Sequence, residues 1–234
     1  MSQQQVYSEG LTVEYGILSS LAVANAAKFE PRGVNAEKLA VYTAAKTDME
    51  TKRAAAIQAE SIKKQLTEQE AATRDGVLSR IGKIKEPVKG AFGKNSAPGK
   101  EFHINDSHGN STSVVIAWAK DISKAYPAYK TELSGQGLIQ EDIDGLLADA
   151  LELEALNTRQ EASKKLAADA TKSYNDSIDK MISIADSIHH AAGLAFEKDA
   201  ATLAKFEAAK KLRYEAPARK AKTPGDDTQP PPSN

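Results

Sequence analysis

The sequence has no cysteine, few aromatic residues and no long apolar segment. Without cysteine the chain cannot form disulfide bonds, thiolate metal sites or a cysteine nucleophile. We expect no transmembrane helix, because no run of about 18 apolar residues is present. The first residues carry neither the basic nor the apolar segment of a secretory signal peptide, so we expect a cytoplasmic protein.

Charge and sequence motifs narrow the function classes. The 234 residues include 31 Lys and Arg and 32 Asp and Glu, which gives a net charge of −1. A generic nucleic-acid binder carries an excess of basic side chains, so we expect no nucleic-acid partner. The glycine-rich phosphate loop, the Gly-x-Ser-x-Gly turn and the His-Glu-x-x-His motif are all absent. We therefore predict a protein that is not an enzyme, with no cofactor and no evident small-molecule substrate.

Composition favours helices throughout the chain. Alanine occurs 39 times, whereas the aromatic residues that favour strands make up only 6%. Neither glycine nor proline occurs between Gly33 and Gly76, nor between Gly145 and Gly193. Such long uninterrupted stretches are typical of helical bundles and coiled coils, so we predict an all-α, elongated helical bundle. The Pro-rich segment 215–234 has little apolar surface to offset its ordering entropy, and we predict a disordered tail there.

The two halves of the chain resemble each other at an offset of 104 residues. The segment from Gly33 to Leu39 aligns with the segment from Gly137 to Ile143, and no gap is needed downstream. A Phe-x-Lys-x7-Phe signature closes each half, and its residues are Phe92, Lys94, Phe102, Phe196, Lys198 and Phe206. This self-similarity predicts a tandem duplication. The predicted segments are helical repeat 1 (1–102), a polar inter-repeat loop (103–113), helical repeat 2 (114–214) and the tail (215–234).

Each half is predicted to hold a shorter apolar helix and then a long one. The shorter helices run roughly over 11–29 and 114–133, and the long helices open near Asn35 and Gln140. The second long helix has six acidic residues in 141–154, and the basic residues at its far end suit the helix dipole. Those basic residues are Lys210, Lys211 and Arg213.

The first long helix either continues to Phe92 or breaks near Gly76. A break would give a compact six-helix bundle. An unbroken helix is too long for the shorter helix to cover, so the long helices would pair with each other or with a second chain. The offset places Lys180 opposite Gly76, so glycine cannot dictate a break in both halves. We favour unbroken, paired long helices.

Apolar residues on the second long helix step alternately by four and three positions, which is the spacing of a packing seam. The seam residues are Tyr174, Ile178, Met181, Ala185, Ile188 and Ala192. We interpret them as core, and small alanines among them allow helices to approach closely. Towards the N-terminus the same register meets Asn157, Gln160 and Lys164, so the seam drifts or opens midway.

The candidate metal ligands include the histidines of the chain. His103, Asp106 and His108 lie together in the inter-repeat loop and are weak candidate metal ligands, because a zinc site would need a fourth ligand from elsewhere. The same residues also suit a polar turn. Asp186-Ser-Ile-His189 resembles half of a di-iron motif, but it occurs once, so the ligand count is insufficient.

The pattern of each half also resembles a group of bacterial proteins. It combines an apolar turn entry such as Gly137 to Ile143, a long alanine-rich helix with Thr67-x7-Asp75 or Thr171-x7-Asp179, and the Phe-x-Lys-x7-Phe close. This is similar to bacterial alanine-rich two-repeat helical proteins of unassigned function, some of which precede fibronectin type III modules. The resemblance spans most of 33–206 and implies a bacterial, non-enzymatic helical domain.

These observations favour a structural or protein-interaction function, with self-association as the expected partnership. An ancestral single repeat would have been a homodimer before it was fused into a pseudo-two-fold pair. A metal- or small-molecule-binding bundle that uses the His/Asp loop is the alternative. A module that takes a partner helix into the polar-interrupted seam is a third hypothesis, and it requires apolar surface left exposed in the monomer.

Overall fold

The computed structural model of the protein is all-α. It describes residues 3–106 and 111–214, with side chains from residue 9 onwards. The longer helices are α1 (Gln3–Ala24), α3 (Ala36–Phe92), α5 (Thr112–Ala125), α7 (Gln140–Ala195) and α8 (Ala200–Leu212). Short helices are α2 (Ala26–Phe29), α4 (Ala97–Glu101) and α6 (Lys130–Ser134), with 3₁₀ turns at Glu30–Arg32 and Tyr126–Tyr129. The predicted tail, 215–234, and His108 lie outside the described residues.

Both long helices are continuous, with 57 residues in α3 and 56 in α7. Gly76 lies inside α3, so the alternative of a break there is wrong. The expectation of one helix that reaches Arg213 is also wrong, because α7 ends at Ala195 and α8 follows. Asp199 begins α8, since its carboxylate accepts a hydrogen bond from the backbone N–H of Thr202 at 3.1 Å.

The same glycine turn precedes each long helix. Gly33 and Gly137 have φ angles of +78° and +82°, a left-handed conformation that favours glycine. In each turn the residue after the glycine donates its N–H to the carbonyl oxygen four positions before the glycine, at 3.2 and 3.1 Å. This bond is typical of helix C-terminal caps, so the same cap occurs at positions 104 residues apart.

Side-chain caps then begin the long helices. The Asn35 side chain accepts a hydrogen bond from the N–H of Lys38 at 2.9 Å. At the start of α7 the Asp142 carboxylate accepts one from the N–H of Ile139 at 3.2 Å. Each bond satisfies a backbone donor that has no partner in the first turn, and the predicted helix starts agree with the observed ones to within one residue.

The chain divides into two compact units, and each unit uses parts of both sequence halves. Among the described residues, unit 1 joins 3–53 with 172–214, and unit 2 spans Ala54–Thr171. Both boundaries fall inside the long helices, so α3 and α7 each contribute to both units. A compact unit therefore does not coincide with one sequence repeat, and the repeat boundaries remain a sequence prediction.

The core of unit 1 is formed by α1, α8 and the adjoining parts of the long helices. All six predicted seam residues are buried here, as the packing interpretation requires. The ring of Phe29 contacts the rings of Phe196 and Phe206, with both centroid distances 5.6 Å. Lys198 is exposed, so of the repeat signature in this half only the two phenylalanines contribute to the core.

The core of unit 2 packs α5 against α3 and α7. Its buried residues on α3 are Val77, Ile81, Ile84 and Val88. The ring of Tyr129 contacts the rings of Phe92 and Phe102, at centroid distances of 5.3 and 6.1 Å. Lys94 is exposed. Over residues 3–106 and 111–214 no helix is both long enough and apolar enough to cross a membrane.

Candidate functional site

His103 follows α4 in unit 2 and is held between two carboxylates. Its Nδ1 lies 2.6 Å from an oxygen of Asp106, and its Nε2 lies 3.2 Å from an oxygen of Asp121 on α5. His103 is also the one non-glycine residue with a positive φ, at +55°, in the part of the chain that the structure describes. The surrounding contacts therefore hold a backbone conformation that costs of order 1 kcal/mol.

Aromatic and cationic groups complete this cluster. The His103 ring stacks on the buried Trp118 ring, with centroids 5.2 Å apart. The ammonium of Lys85 also lies over the Trp118 ring, 4.9 Å from the ring centroid. Burial lowers the pKa of Lys85, and the negative charge of Asp106 partly opposes that shift. The cluster therefore joins α3, α5 and the segment after α4.

The metal hypothesis also involves His108, which lies outside the described residues, so it stays a prediction. In 3–106 and 111–214 no three His, Asp or Glu side chains are placed to hold one metal ion. Both ring nitrogens of His103 face carboxylates. A cavity of about 380 Å³ lies beside the cluster and is lined by Lys100, Glu101, His103, Asp121, Lys124, Ala125 and Ala128.

A second polar cluster lies in the core of unit 1, around Arg213 at the end of α8. Its guanidinium makes two hydrogen bonds of 2.8 Å to Glu14 on α1 and one of 2.9 Å to Asp186 on α7. His189 lies one turn after Asp186, with its Nε2 2.7 Å from the Glu14 carboxylate. Burial alone would lower the pKa of Arg213, but Glu14 and Asp186 outweigh it and raise the pKa. The cluster ties three helices together.

Tyr42 on α3 adds an unsatisfied group to this core. Its hydroxyl is buried and has no hydrogen-bond partner among the described residues. Burial raises the pKa of this phenol, and the negative charge of Glu14 raises it further. The sequence could not indicate the partner of His189, because Glu14 lies 175 residues away along the chain.

The middle of the seam is polar in unit 2, as the sequence predicts. The buried Gln160 donates a hydrogen bond to the Thr67 hydroxyl at 3.3 Å, and Thr112 donates one to Glu70 at 2.6 Å. A cavity of about 480 Å³ opens here between α3, α7 and the start of α5. Asn157 and Lys164 line it, and both acidic and basic side chains are present, so the cavity selects neither sign of charge.

Apolar side chains remain at the surface of the long helices in unit 2. From 54 to 69, α3 has no fully buried residue, and Ile57 and Ile62 are exposed. On α7, Leu151 and Leu166 are 52% and 64% exposed. Exposed leucines are common when scattered singly, but these share one helix face, which makes the face a candidate interaction surface.

Comparisons of the chain with models of known protein families, with curated proteins and with solved structures give no match.

Proposed function

We propose that the chain is a non-enzymatic helical interaction protein that associates with itself. The observation that carries this proposal is the exposed apolar surface on the long helices of unit 2, represented by Ile62, Leu151 and Leu166. A surface helix of a monomer normally turns such residues towards its own core. Apolar side chains aligned along an outer face are instead typical of helices that pack against a partner.

The buried seam of unit 1 limits where association can occur. Its residues, Tyr174 to Ala192, are already packed within the unit and are not available to a second chain. This burial also argues against insertion of a partner helix into that seam. The surface of α3 and α7 in unit 2 is the better candidate, because its apolar side chains are exposed without any change in the fold.

The proposed origin by tandem duplication also favours self-association, because a single ancestral repeat would have needed a second copy. Two pairs of equivalent features support the duplication. The turns at Gly33 and Gly137 have the same hydrogen bond and left-handed glycine. In addition, the equivalent phenylalanine pairs each contact one aromatic ring from the other half, Tyr129 or Phe29, although those two rings are not 104 residues apart.

Light scattering coupled to size-exclusion chromatography tests the proposal directly. We expect the mean mass of the full chain to rise from one copy towards two over a hundredfold range of concentration. The proposed contact between two copies is narrow, and interfaces that bury less than about 800 Å² per partner are often weak. The concentration series should therefore reach about 100 µM or more. A mass of one copy, 25.0 kDa, at every concentration would contradict self-association.

A further inference from the structure

One face of α7 in unit 2 is exposed along about four helical turns. At 100° per residue, the side chains of Leu151, Ala155, Thr158, Ala162 and Leu166 lie within about 80° of one another. All five are exposed, and the buried residues of this stretch lie on the opposite side of the helix. The Thr158 hydroxyl donates to the carbonyl oxygen of Glu154 within the helix at 3.0 Å, so it needs no partner from outside. We call these five residues the α7 face.

The order of residues on the α7 face reads the same in both directions. Two leucines stand at its ends, two alanines lie inside them, and the centre falls between Thr158 and Arg159. If a second copy of the helix runs antiparallel about that centre, Leu151 meets Leu166 of the copy and Ala155 meets Ala162. A two-fold contact requires this reciprocity, in which residue i meets j and j meets i. The central alanines would let the two backbones approach closely.

Charge along the same stretch is complementary in the antiparallel direction. Glu152 and Glu154 lie near one end of the face, and Lys165 lies near the other. Antiparallel pairing places the acidic end of each copy at the height of the basic end of the other, whereas parallel pairing places like charges together. Glu152 and Lys165 make no ion pair with any described residue, so both are available to a partner.

From this pattern we infer that the partner is a second copy of the chain, bound antiparallel through the α7 face around a two-fold axis between Thr158 and Arg159. The inference rests on the proposed function and makes it specific. Self-association could occur through another surface, so the two ideas fail in different experiments.

Disulfide trapping tests the register, because the chain contains no cysteine of its own. The single variants are Ala155→Cys and Ala162→Cys, with Ala168→Cys as a control on an exposed part of α7 outside the face. A disulfide requires Cα atoms within about 7 Å, and a seven-residue offset separates them by about 10 Å along the helix axis. We expect a mixture of the first two variants to form a mixed disulfide at least about tenfold faster than either variant alone.

Four results would overturn the inference. Rapid self-linking of Ala155→Cys and of Ala162→Cys would indicate parallel pairing. Equally fast linking of Ala168→Cys would indicate random collision. Absence of the mixed disulfide under conditions where light scattering shows dimers would place the contact elsewhere, and the proposed self-association would survive. If light scattering shows one copy at every concentration, both the inference and the proposed function fail. Circular dichroism of each variant verifies that the helices remain folded.

Discussion

Arg213 places a guanidinium in the core of unit 1, where only 1% of its side chain is exposed. Burying a charge is unfavourable unless other groups replace the hydrogen bonds that it made to water. Here Glu14 and Asp186 accept three hydrogen bonds from the guanidinium. The Glu14 carboxylate is fully buried and has both Arg213 and His189 as partners, with two of its three contacts made by Arg213. This cluster holds the end of α8 against α1 and α7.

Replacing Arg213 by Met should destabilise the protein strongly. The variant leaves the Glu14 carboxylate buried without its main partner, and loss of one member of a buried pair typically costs about 3–5 kcal/mol. We expect that loss in the free energy of unfolding measured in urea. The exposed Lys210→Met variant is the control, because Lys210 lies 4.0 Å from Asp186 and should contribute about 0.5 kcal/mol or less. Similar losses in both variants would contradict a special role for Arg213.

Tyr42→Phe should maintain or raise stability near pH 7, because it removes a buried hydroxyl that has no partner among the described residues. An unsatisfied buried group costs about 1–3 kcal/mol. The pKa of this phenol is higher in the folded protein than in the unfolded chain. The effect of this phenol on stability is therefore constant below about pH 10. Above it, the folded state loses stability as the pH rises towards the pKa of the phenol in the folded protein.

Wild-type protein should consequently lose stability more steeply than Tyr42→Phe between about pH 10 and pH 12. Unfolding in urea at several pH values measures both profiles. Tyr15→Phe is the matched control, since the Tyr15 hydroxyl has a hydrogen bond of 2.8 Å with Thr43. That variant should lose about 0.5–1.5 kcal/mol near pH 7 and retain the steep alkaline loss. Parallel pH profiles for wild type and Tyr42→Phe would show that the phenol does not titrate as inferred.

The sequence predicted residues whose role depends on near neighbours, and it missed those that depend on distant ones. The seam from Tyr174 to Ala192 follows from spacing along one helix, and these residues are buried. Nothing local distinguishes Glu14, in the apolar α1, from a solvent-exposed acid. The sequence makes His103 a weak candidate metal ligand, but its contact with Asp121 depends on how α5 packs.

At the scale of helices, glycine has opposite roles in α1 and α3. Gly76 lies at the surface of α3, and a Cβ there would meet nothing within 4 Å. A Cβ on Gly10 would lie 2.6 Å from the carbonyl oxygen of Leu212 and 2.7 Å from that of Arg213. Gly10 therefore allows α1 to approach the end of α8, whereas Gly76 only adds conformational freedom to the unfolded chain.

Alanine at these two positions should consequently change stability in opposite directions. Gly76→Ala should raise the free energy of unfolding by about 0.5–1 kcal/mol, because alanine forms helices better than glycine. Gly10→Ala should lower it by about 1–3 kcal/mol, because backbone atoms must move to admit the methyl group. Thermal unfolding of the two variants side by side measures both signs. A destabilising Gly76→Ala would argue against a continuous α3.

Helix continuity was predictable, and the composition of the units was not. The absence of glycine and proline from 34 to 75 favours one long helix, and the surrounding turns mark its ends. The sequence halves meet at the inter-repeat loop, but unit 1 combines residues from both ends of the chain. A repeat is defined by similarity along the sequence, whereas a compact unit is defined by contacts. The two differ here because each long helix belongs to one repeat but contributes to both units.

At the scale of the whole molecule, the proposed dimerisation would link stability to protein concentration. A partner that binds only the folded chain stabilises it by mass action, so the midpoint of thermal unfolding should rise with concentration. The double variant Leu151→Lys with Leu166→Lys places two charges in the α7 face. It should remove this dependence, because two ammonium groups would lose their hydration in the contact.

A matched control separates the contact from a general effect of added charge. Val41 and Val23 are 48% and 67% exposed, which is similar to the exposed fractions of Leu151 and Leu166. Both valines belong to unit 1. Val23→Lys with Val41→Lys should therefore leave the rise in midpoint intact. Differential scanning calorimetry from about 5 to 500 µM measures all three proteins, a range that spans weak dimers. A midpoint that rises equally in both double variants would mean that the chain associates through a surface other than the α7 face.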